Sequence, residues 1–168
     1  MSRPIIEIEG FPELMAKIKM LSDPKDKKRE VLIILRQVAS VTLKTAQSLV
    51  PVSRKQHKAR GKLIQPGNLR KSLGNITGKS ENPTVYIGPR AKGSNDGWYG
   101  HFVHDGHNIY AKGYRRKRIR GANMRAALKR TAGNPYMAKA YEATNGQVTA
   151  DAEKKITAFI QRRIDKLS

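Results

Sequence analysis

The chain has 168 residues, with 34 Lys and Arg against 13 Asp and Glu, a formal net charge of +21, and no cysteine. Its length suffices for one domain around one hydrophobic core. The absence of cysteine excludes disulfides and Cys-ligated zinc. No window approaches the roughly 18 consecutive apolar residues of a membrane span, and the opening MSRPIIEIEG lacks the apolar run of a signal peptide. We therefore expect a soluble protein made in the cytoplasm.

The first third of the chain predicts a strand and two helices. Ile5–Glu9 alternates apolar and acidic residues, which favours a short edge strand, and Phe11–Leu21 has helical apolar spacing. Ser22-Asp23-Pro24 combines a capping residue with a proline, so it predicts a longer helix over Pro24–Leu49, which Pro51 ends. The apolar stripe of this helix consists of Val31, Ile34, Leu35, Val38, Thr42, Thr45, Ala46 and Leu49.

The middle of the chain predicts a hairpin between two loops. Residues 52–67, Val52–Gly67, hold five cations and little to bury, which predicts a basic loop. Thr84–Gly88 is rich in β-branched and aromatic residues and predicts a strand. A partner strand is expected near Ser72–Thr77, and Pro89–Gly97 is expected to form a second loop.

The last third predicts a basic arm followed by a helix. Within the arm, residues 111–133, the segment Ala111–Arg130 has nine Lys or Arg and no acid. It is either a mobile arm or a basic helix around Gly121–Arg130. Asn134-Pro135 begins the last helix, in which Asn145-Gly146 is a candidate break. The apolar stripe of that helix consists of Val148, Ala152, Ile156, Phe159, Ile160 and Leu167. Together these elements predict a single α+β domain over residues 1–168, with two long helices packed on a small antiparallel sheet.

The charge is concentrated in the middle of the sequence. Val31–Tyr141 carries 22 Lys or Arg against three acids, which is +19 of the total +21. A uniform surface would serve solubility better, so this asymmetry favours a polyanionic partner, either nucleic acid or an acidic protein surface. The candidate contact residues are Arg54, Lys55, Lys58, Arg60, Lys62, Lys112, Arg115, Arg116, Lys117, Arg118 and Arg120.

The stretch Gly97–His107, G-W-Y-G-H-F-V-H-D-G-H, holds three of the four histidines and the only tryptophan. His101, His104, Asp105 and His107 are suitable metal ligands by type, but no HExxH pattern and no Cys or Glu cluster accompanies them. The apolar spacing instead predicts one helical turn. In this interpretation three apolar residues face the core, a glycine ends the turn, and His101, His104 and Asp105 face outward or toward a neighbour. The apolar residues and the glycine are Tyr99, Phe102, Val103 and Gly106.

No catalytic pattern accompanies these residues. None of the serines lies in a G-x-S-x-G elbow, and no phosphate-binding loop of the G-x-x-x-x-G-K-[ST] type occurs. A nuclease would need an acidic pair for magnesium, whereas the central region has three widely spaced acids. We expect no enzymatic activity, no cofactor and no bound metal, and a nuclease assay with magnesium tests this.

Five segments in a fixed order carry a resemblance: LVPVS, GNLRKSL, VYIGP, WYGHFVHDG and NPYMAKAYE. Their order and spacing resemble the tail-component or neck protein family of long-tailed bacteriophages and prophages. The chain departs from that family at His104, His107 and Lys139, where glutamate, threonine and proline are usual, and at Tyr136, where phenylalanine is usual. The residues that match the motifs, or replace their aromatic, are Pro51, Leu69, Ser72, Tyr99, Phe102, Val103, Gly106, Pro135 and Tyr136.

The resemblance implies a structural virion protein at the head–tail junction. Such a protein would form a homo-oligomeric ring, by analogy a hexamer, around the channel for double-stranded DNA. Its partners would be the connector or head-closure protein and the tail terminator or tail tube. A tail-completion or minor tail protein of the same family remains an alternative. So does a free basic nucleic-acid-binding protein, although no helix-turn-helix, RRM or KH pattern is present.

Overall fold

The computed structural model of the chain describes residues 6–9, 24–59, 61–109 and 129–165. Within them the fold is α+β, as the sequence predicts. The helices are α1 (Pro24–Leu49), α2 (Asn68–Ser72), α3 (Gly100–Asp105) and α4 (Tyr136–Asp165). The strands are β1 (Ile6–Glu9), β2 (His57–Ala59), β3 (Lys62–Ile64), β4 (Leu73–Thr77), β5 (Thr84–Pro89), β6 (Asn108–Ile109) and β7 (Lys129–Arg130). The predicted helix Phe11–Leu21 and the side chain of Leu167 lie outside the described residues.

Helix α1 has the predicted bounds, and its apolar stripe forms one side of the core. Val31, Leu35 and Val38 are fully buried. The prediction was wrong for Leu49, which is 39% exposed, whereas Val50 is 3% exposed. The Val50 amide donates to the Ala46 carbonyl at 3.0 Å, so the helical path continues for one more residue. Val50 therefore lies one turn beyond Ala46 on the buried face.

Helix α4 packs along α1, as expected for two helices that each carry an apolar stripe. The hydroxyls of Thr42 and Thr144 meet at 2.7 Å between them, and both are buried. Because the Thr144 hydroxyl donates to the Ala140 carbonyl at 2.8 Å, its proton is committed and Thr42 is the donor of the interhelical bond. Near the other end, Arg163 Nη2 donates to Glu30 Oε1 at 2.6 Å.

The candidate break at Asn145-Gly146 is wrong, because α4 runs through both residues. An ideal Cβ at Gly146 would meet nothing within 4 Å, so the glycine is not there to allow a close approach. Burial of Thr144 and Val148 on either side holds this turn against α1 despite the low helix propensity of glycine.

A three-stranded antiparallel sheet covers one side of α1, in the order β1-β5-β4. The predicted strand Ile5–Glu9 is confirmed over Ile6–Glu9, and Ile5 lies outside the described residues. The predicted strand Thr84–Gly88 and its predicted partner near Ser72–Thr77 are also confirmed. In the central strand β5, Val85 and Ile87 are fully buried, so alternate side chains of this strand enter the core.

The segment 52–67 contains a hairpin, so the prediction of a loop throughout was wrong. β2 pairs antiparallel with β3, with His57 opposite Ile64 and Lys58 opposite Leu63. Ile64 is buried, which anchors one side of the hairpin to the body of the protein. Strands of three residues are too short for apolar alternation to be recognised, and the cations dominate their composition.

Only the base of the basic arm is described. β6 pairs with β7, which places Asn108 opposite Arg130 and Ile109 opposite Lys129. The predictions for a mobile arm or a basic helix fall mostly on residues 110–128, outside the described part of the chain. Among the described helices, none is both long and apolar enough to cross a membrane.

Candidate nucleic-acid and partner interface

Segments that are distant in sequence meet in one tightly packed cluster, which we call the motif node: Leu69, Ser72, Pro89, Gly97, Gly100 and Tyr136. An ideal Cβ on Gly100 would lie 2.7 Å from Pro89 Cγ and 3.2 Å from Leu69 Cδ1, so only glycine fits against those side chains. The buried Tyr136 hydroxyl donates to the Gly100 carbonyl at 3.5 Å. Four of the five resembling segments are thus joined by direct contacts, and the spacing of these residues reflects packing.

Ser72 organises the loop that follows β5. Its buried Oγ donates to the Leu69 carbonyl at 2.7 Å, and its carbonyl accepts from Arg90 N at 3.0 Å and Arg90 Nε at 3.2 Å. The Gly97 amide donates to the Arg90 carbonyl at 2.8 Å, which closes the loop. The basic side chain of Arg90 is therefore committed in part to the backbone.

The stretch Gly97–His107 contains the predicted helical turn, α3, which Gly106 ends. Asp96 Oδ1 accepts from the Trp98 amide at 3.1 Å, and Asn68 Nδ2 donates to the Asp96 carbonyl at 2.8 Å. Gly106 has φ 74°, and a Cβ there would overlap the Thr131 carbonyl oxygen. Glycine is required at this position both by its backbone angle and by the close approach of residues 131–133.

The predicted orientation of α3 is partly wrong. Phe102 is 36% exposed and does not enter the core, whereas Tyr99 and Val103 are half-buried and pack against it. The reason is that the helix docks through Gly100, and a residue two positions later points to the opposite side of a helix. Asp105 is exposed, as expected, whereas His101 and His104 are half-buried.

The side chain of Phe102 lies within a set of rings that we call the aromatic–imidazole ribbon: His57, Trp98, Tyr99, His101, Phe102 and His107. Phe102 lies 5.9 Å from Trp98, 3.9 Å from His101 and 5.7 Å from His107, measured between ring centroids. Tyr99 lies 5.8 Å from Trp98 and 6.2 Å from His57. The ribbon thus leads from the β2–β3 hairpin to the residue that precedes β6.

Three histidines have protein partners on their Nδ1 atoms. His101 Nδ1 donates to the Trp98 carbonyl at 3.0 Å, since a carbonyl only accepts. His104 Nδ1 lies 2.6 Å from Asp105 Oδ1, and His107 Nδ1 lies 3.0 Å from Thr131 Oγ1. Across residues 6–9, 24–59, 61–109 and 129–165, no group of three or more His, Asp or Glu side chains could hold a metal ion.

Cations lie at both ends of the ribbon. At one end, Arg54, Lys55, Lys58 and Lys62 are exposed on the β2–β3 hairpin and the segment before it. The pairing of Lys58 with Leu63, which is 57% exposed, places both on the face of the hairpin that points away from the body. At the other end, Lys129 and Arg130 are exposed on β7, and Arg130 Nη2 donates to the Asp105 carbonyl at 3.2 Å.

The structure thus brings together part of the predicted contact set. Arg60, Lys112, Arg115–Arg118 and Arg120 lie outside the described residues. The contact of His57 with Tyr99 and the position of Lys129 and Arg130 beside the ribbon were not predicted. No local signal could have revealed them, because both depend on residues that are 20 or more positions apart in the sequence.

The residues that match the family motifs differ in environment. Leu69, Ser72 and Tyr136 are buried in the motif node, whereas Pro51 and Pro135 are exposed beside the ends of α1 and α4. Burial raises the pKa of the Tyr136 phenol above its ordinary value, and the negative charge of Asp105 adds to the effect. The phenol is therefore neutral at physiological pH and serves as a hydrogen-bond donor. No protein-family model, curated protein or solved structure matches the chain.

Proposed function

We propose that this chain is a structural protein of a phage head–tail junction that forms a ring around the DNA path. In this proposal the homo-oligomer, a hexamer by analogy, joins a connector or head-closure protein to a tail terminator or tail tube. The chain has no catalytic role, cofactor or metal in this proposal. Its location is the virion after synthesis in the host cytoplasm.

The observation that carries the proposal is the motif node. The segments GNLRKSL, VYIGP, WYGHFVHDG and NPYMAKAYE resemble the family only weakly one by one, yet their residues are in mutual contact. A set of chance matches would have no reason to share one packing site. The shared site supports the interpretation of the segments as one structural signature.

The charge distribution supports a DNA path rather than a purely protein surface. Duplex DNA carries about one negative charge per 1.7 Å of its axis, so a ring of basic loops would meet a dense anionic column. Arg54, Lys55, Lys58 and Lys62 have exposed side chains, and none of them forms an ion pair within the part of the chain that the structure describes. Contacts of Lys and Arg with phosphate carry no base information, so such a ring would hold DNA of any sequence.

Labelling of the particle tests this proposal. Virions or prophage particles encoded by the same genome are to be examined with a gold-labelled antibody against the chain, followed by reconstruction of the junction. Several copies around the channel at the head–tail junction are expected. Purified particles that lack the chain, or that hold a single copy, would overturn the proposal.

A charge variant tests the DNA path within that assembly. Neutralising Arg115, Arg116, Lys117 and Arg118 together is expected to leave the fold intact and to impair genome retention or ejection. Loss of tail joining alone would show that the arm contacts protein. A matched control is the neutralisation of Lys154 and Arg162 on α4, which are exposed but remote in sequence from both basic segments.

A free nucleic-acid-binding protein is a second candidate, and the aromatic–imidazole ribbon favours it. Aromatic side chains beside cations can bind nucleic acid whether or not the chain assembles into an oligomer. The two candidates differ in what the isolated chain does. Tight DNA binding by a monomer that never enters particles would select the free protein, whereas binding that appears only with the connector would select the neck protein.

A further inference from the structure

The aromatic–imidazole ribbon exposes ring surface in the space between two clusters of cations. Phe102 is its central member, 36% exposed and in contact with three other rings. His57 and His107 are also exposed. His57 is the first residue of β2, and His107 immediately precedes β6. An exposed phenylalanine surrounded by rings is not needed by the core, which is formed by other residues.

Hydrogen bonds to residues outside the ribbon hold several of its members in place. Asn68 Nδ2 donates to Tyr99 Oη at 3.2 Å, and the Trp98 amide is bound by Asp96. The Thr131 hydroxyl accepts from the His107 amide at 3.0 Å and lies 3.0 Å from its Nδ1 atom. A ligand that packs on these rings would therefore lose little of its binding energy to ordering the protein.

The charges around the ribbon match a polyanion. Among the described residues, Asp96 and Asp105 adjoin the ribbon in sequence, and both already have partners: Asp96 the Trp98 amide, and Asp105 the His104 ring. The cations on the hairpin and on β7 are exposed at either end. Of the hairpin cations, Lys62 shares the strand face of His57, whereas Lys58 lies on the opposite face. Phosphates held by Lys62 at one end and by Lys129 or Arg130 at the other would flank bases placed over the rings.

We propose that the ribbon binds unpaired nucleotides, with bases packed on Phe102 and its neighbouring rings and phosphates on the flanking cations. Proteins that bind single strands without sequence preference combine a basic track with aromatic side chains in this way. A duplex hides the faces of its bases in the stack, so it can use the cations but not the rings. In the proposed neck ring, this surface would hold an unpaired DNA end.

This inference rests on the proposed function for the identity of the DNA, but single-strand binding can be measured on the isolated chain. The probe is a thymidine oligonucleotide of ~12 nucleotides, a length within the usual site size of one small domain. The matched probe is an abasic oligonucleotide of the same length, which keeps the phosphates and lacks the bases. A blunt duplex is the third ligand.

Trp98 is the only tryptophan of the chain and lies in the ribbon, so its fluorescence reports directly on this surface. The thymidine oligonucleotide is expected to quench Trp98 and to bind about tenfold more tightly than the abasic one, since each stacked base contributes to affinity. Phe102→Ala should abolish most of that preference and leave abasic and duplex binding unchanged. Tyr141→Ala removes an exposed aromatic on α4 outside the ribbon and should change nothing.

Equal affinity for the thymidine and abasic oligonucleotides would overturn the inference and leave a phosphate-only contact, which the proposed function still allows. Stronger quenching and tighter binding with polyglutamate than with thymidine would also overturn it, because the ribbon would then be a docking surface for an acidic protein. If Phe102→Ala fails to fold by circular dichroism, Phe102→Leu keeps the apolar volume without the aromatic face and gives the same comparison. Absence of the chain from virions would refute the neck proposal without affecting these measurements.

Discussion

The motif node predicts a large effect from one added methyl group, at Gly97. An ideal Cβ at this position would overlap the Ser72 hydroxyl and lie 2.8 Å from Ser72 Cβ and 2.9 Å from Pro89 Cβ. Real Cβ atoms essentially never show such distances, so a neighbour has to move. Ser72 is fully buried and its hydroxyl donates to the Leu69 carbonyl at 2.7 Å, which leaves it no free direction.

The expected cost of Gly97→Ala follows from these contacts. Overpacking of a tight interior costs about 1–3 kcal/mol, and loss of a buried hydrogen bond costs about 1 kcal/mol more. We therefore expect the free energy of unfolding to fall by about 3 kcal/mol, which for a chain of this size lowers Tm by about 6–12 °C. The loop 89–97 would also shift, because the Gly97 amide is bonded to the Arg90 carbonyl.

A double-mutant cycle measured by urea denaturation and circular dichroism tests the cause. Ser72→Ala alone should cost about 1 kcal/mol, since the Leu69 carbonyl keeps the Leu73 amide as a donor. In the double variant the overlapping hydroxyl is absent, so its destabilisation should be smaller than the sum of the singles by at least about 1 kcal/mol.

The matched control is Gly146→Ala, where a Cβ meets nothing within 4 Å in the middle of α4. There the variant should gain up to about 1 kcal/mol from helix propensity. If the Gly97→Ala protein is as stable as the original, the packing interpretation of the motif node is wrong. It is also wrong if the destabilisation of the double variant equals the sum of the two single variants.

Three further outcomes are expected. The original protein should lose stability above about pH 10, and Tyr136→Phe should remove this loss. Burial raises the pKa of the Tyr136 phenol in the folded state, so the unfolded chain releases the proton at a lower pH than the folded chain. Relative to the variant, the original protein should therefore lose up to about 1.4 kcal/mol of stability per pH unit. Equal pH dependence of the two proteins in urea titrations would contradict this. Thr42→Val should lower the free energy of unfolding by about 1–2 kcal/mol, because it removes the donor of the buried hydrogen bond to Thr144. A change below about 0.5 kcal/mol, the size of an ordinary surface substitution, would show that this hydrogen bond is not needed for stability. Glu30→Gln should cost less than about 1 kcal/mol, since its ion pair with Arg163 is partly exposed, and the small effect should disappear in high salt.

The sequence by itself determined the main elements of this protein. The cap-then-proline pattern before Pro24 and the proline at Pro51 predicted the bounds of α1. The apolar spacing of both long helices predicted their buried faces, except that Val50 is buried where Leu49 was expected. The β-branched composition of Thr84–Gly88 identified the central strand. These features are local: caps, helical periodicity and β propensity act within a few residues and leave a trace in the sequence.

Only the tertiary structure decided how the surface between these elements is arranged. Gly100 docks on Pro89 and Leu69, and this close approach turns Phe102 outward although its spacing from Tyr99 suggested the core. The hairpin of β2 and β3 brings His57 to Tyr99, 42 positions later, and β7 places Lys129 beside Ile109. Such contacts depend on the shapes of packed side chains from distant segments, which apolar periodicity does not encode. For that reason the sequence indicated basic segments and a histidine-rich turn separately. Only the fold places the turn beside cations of the β2–β3 hairpin and of β7, on one surface.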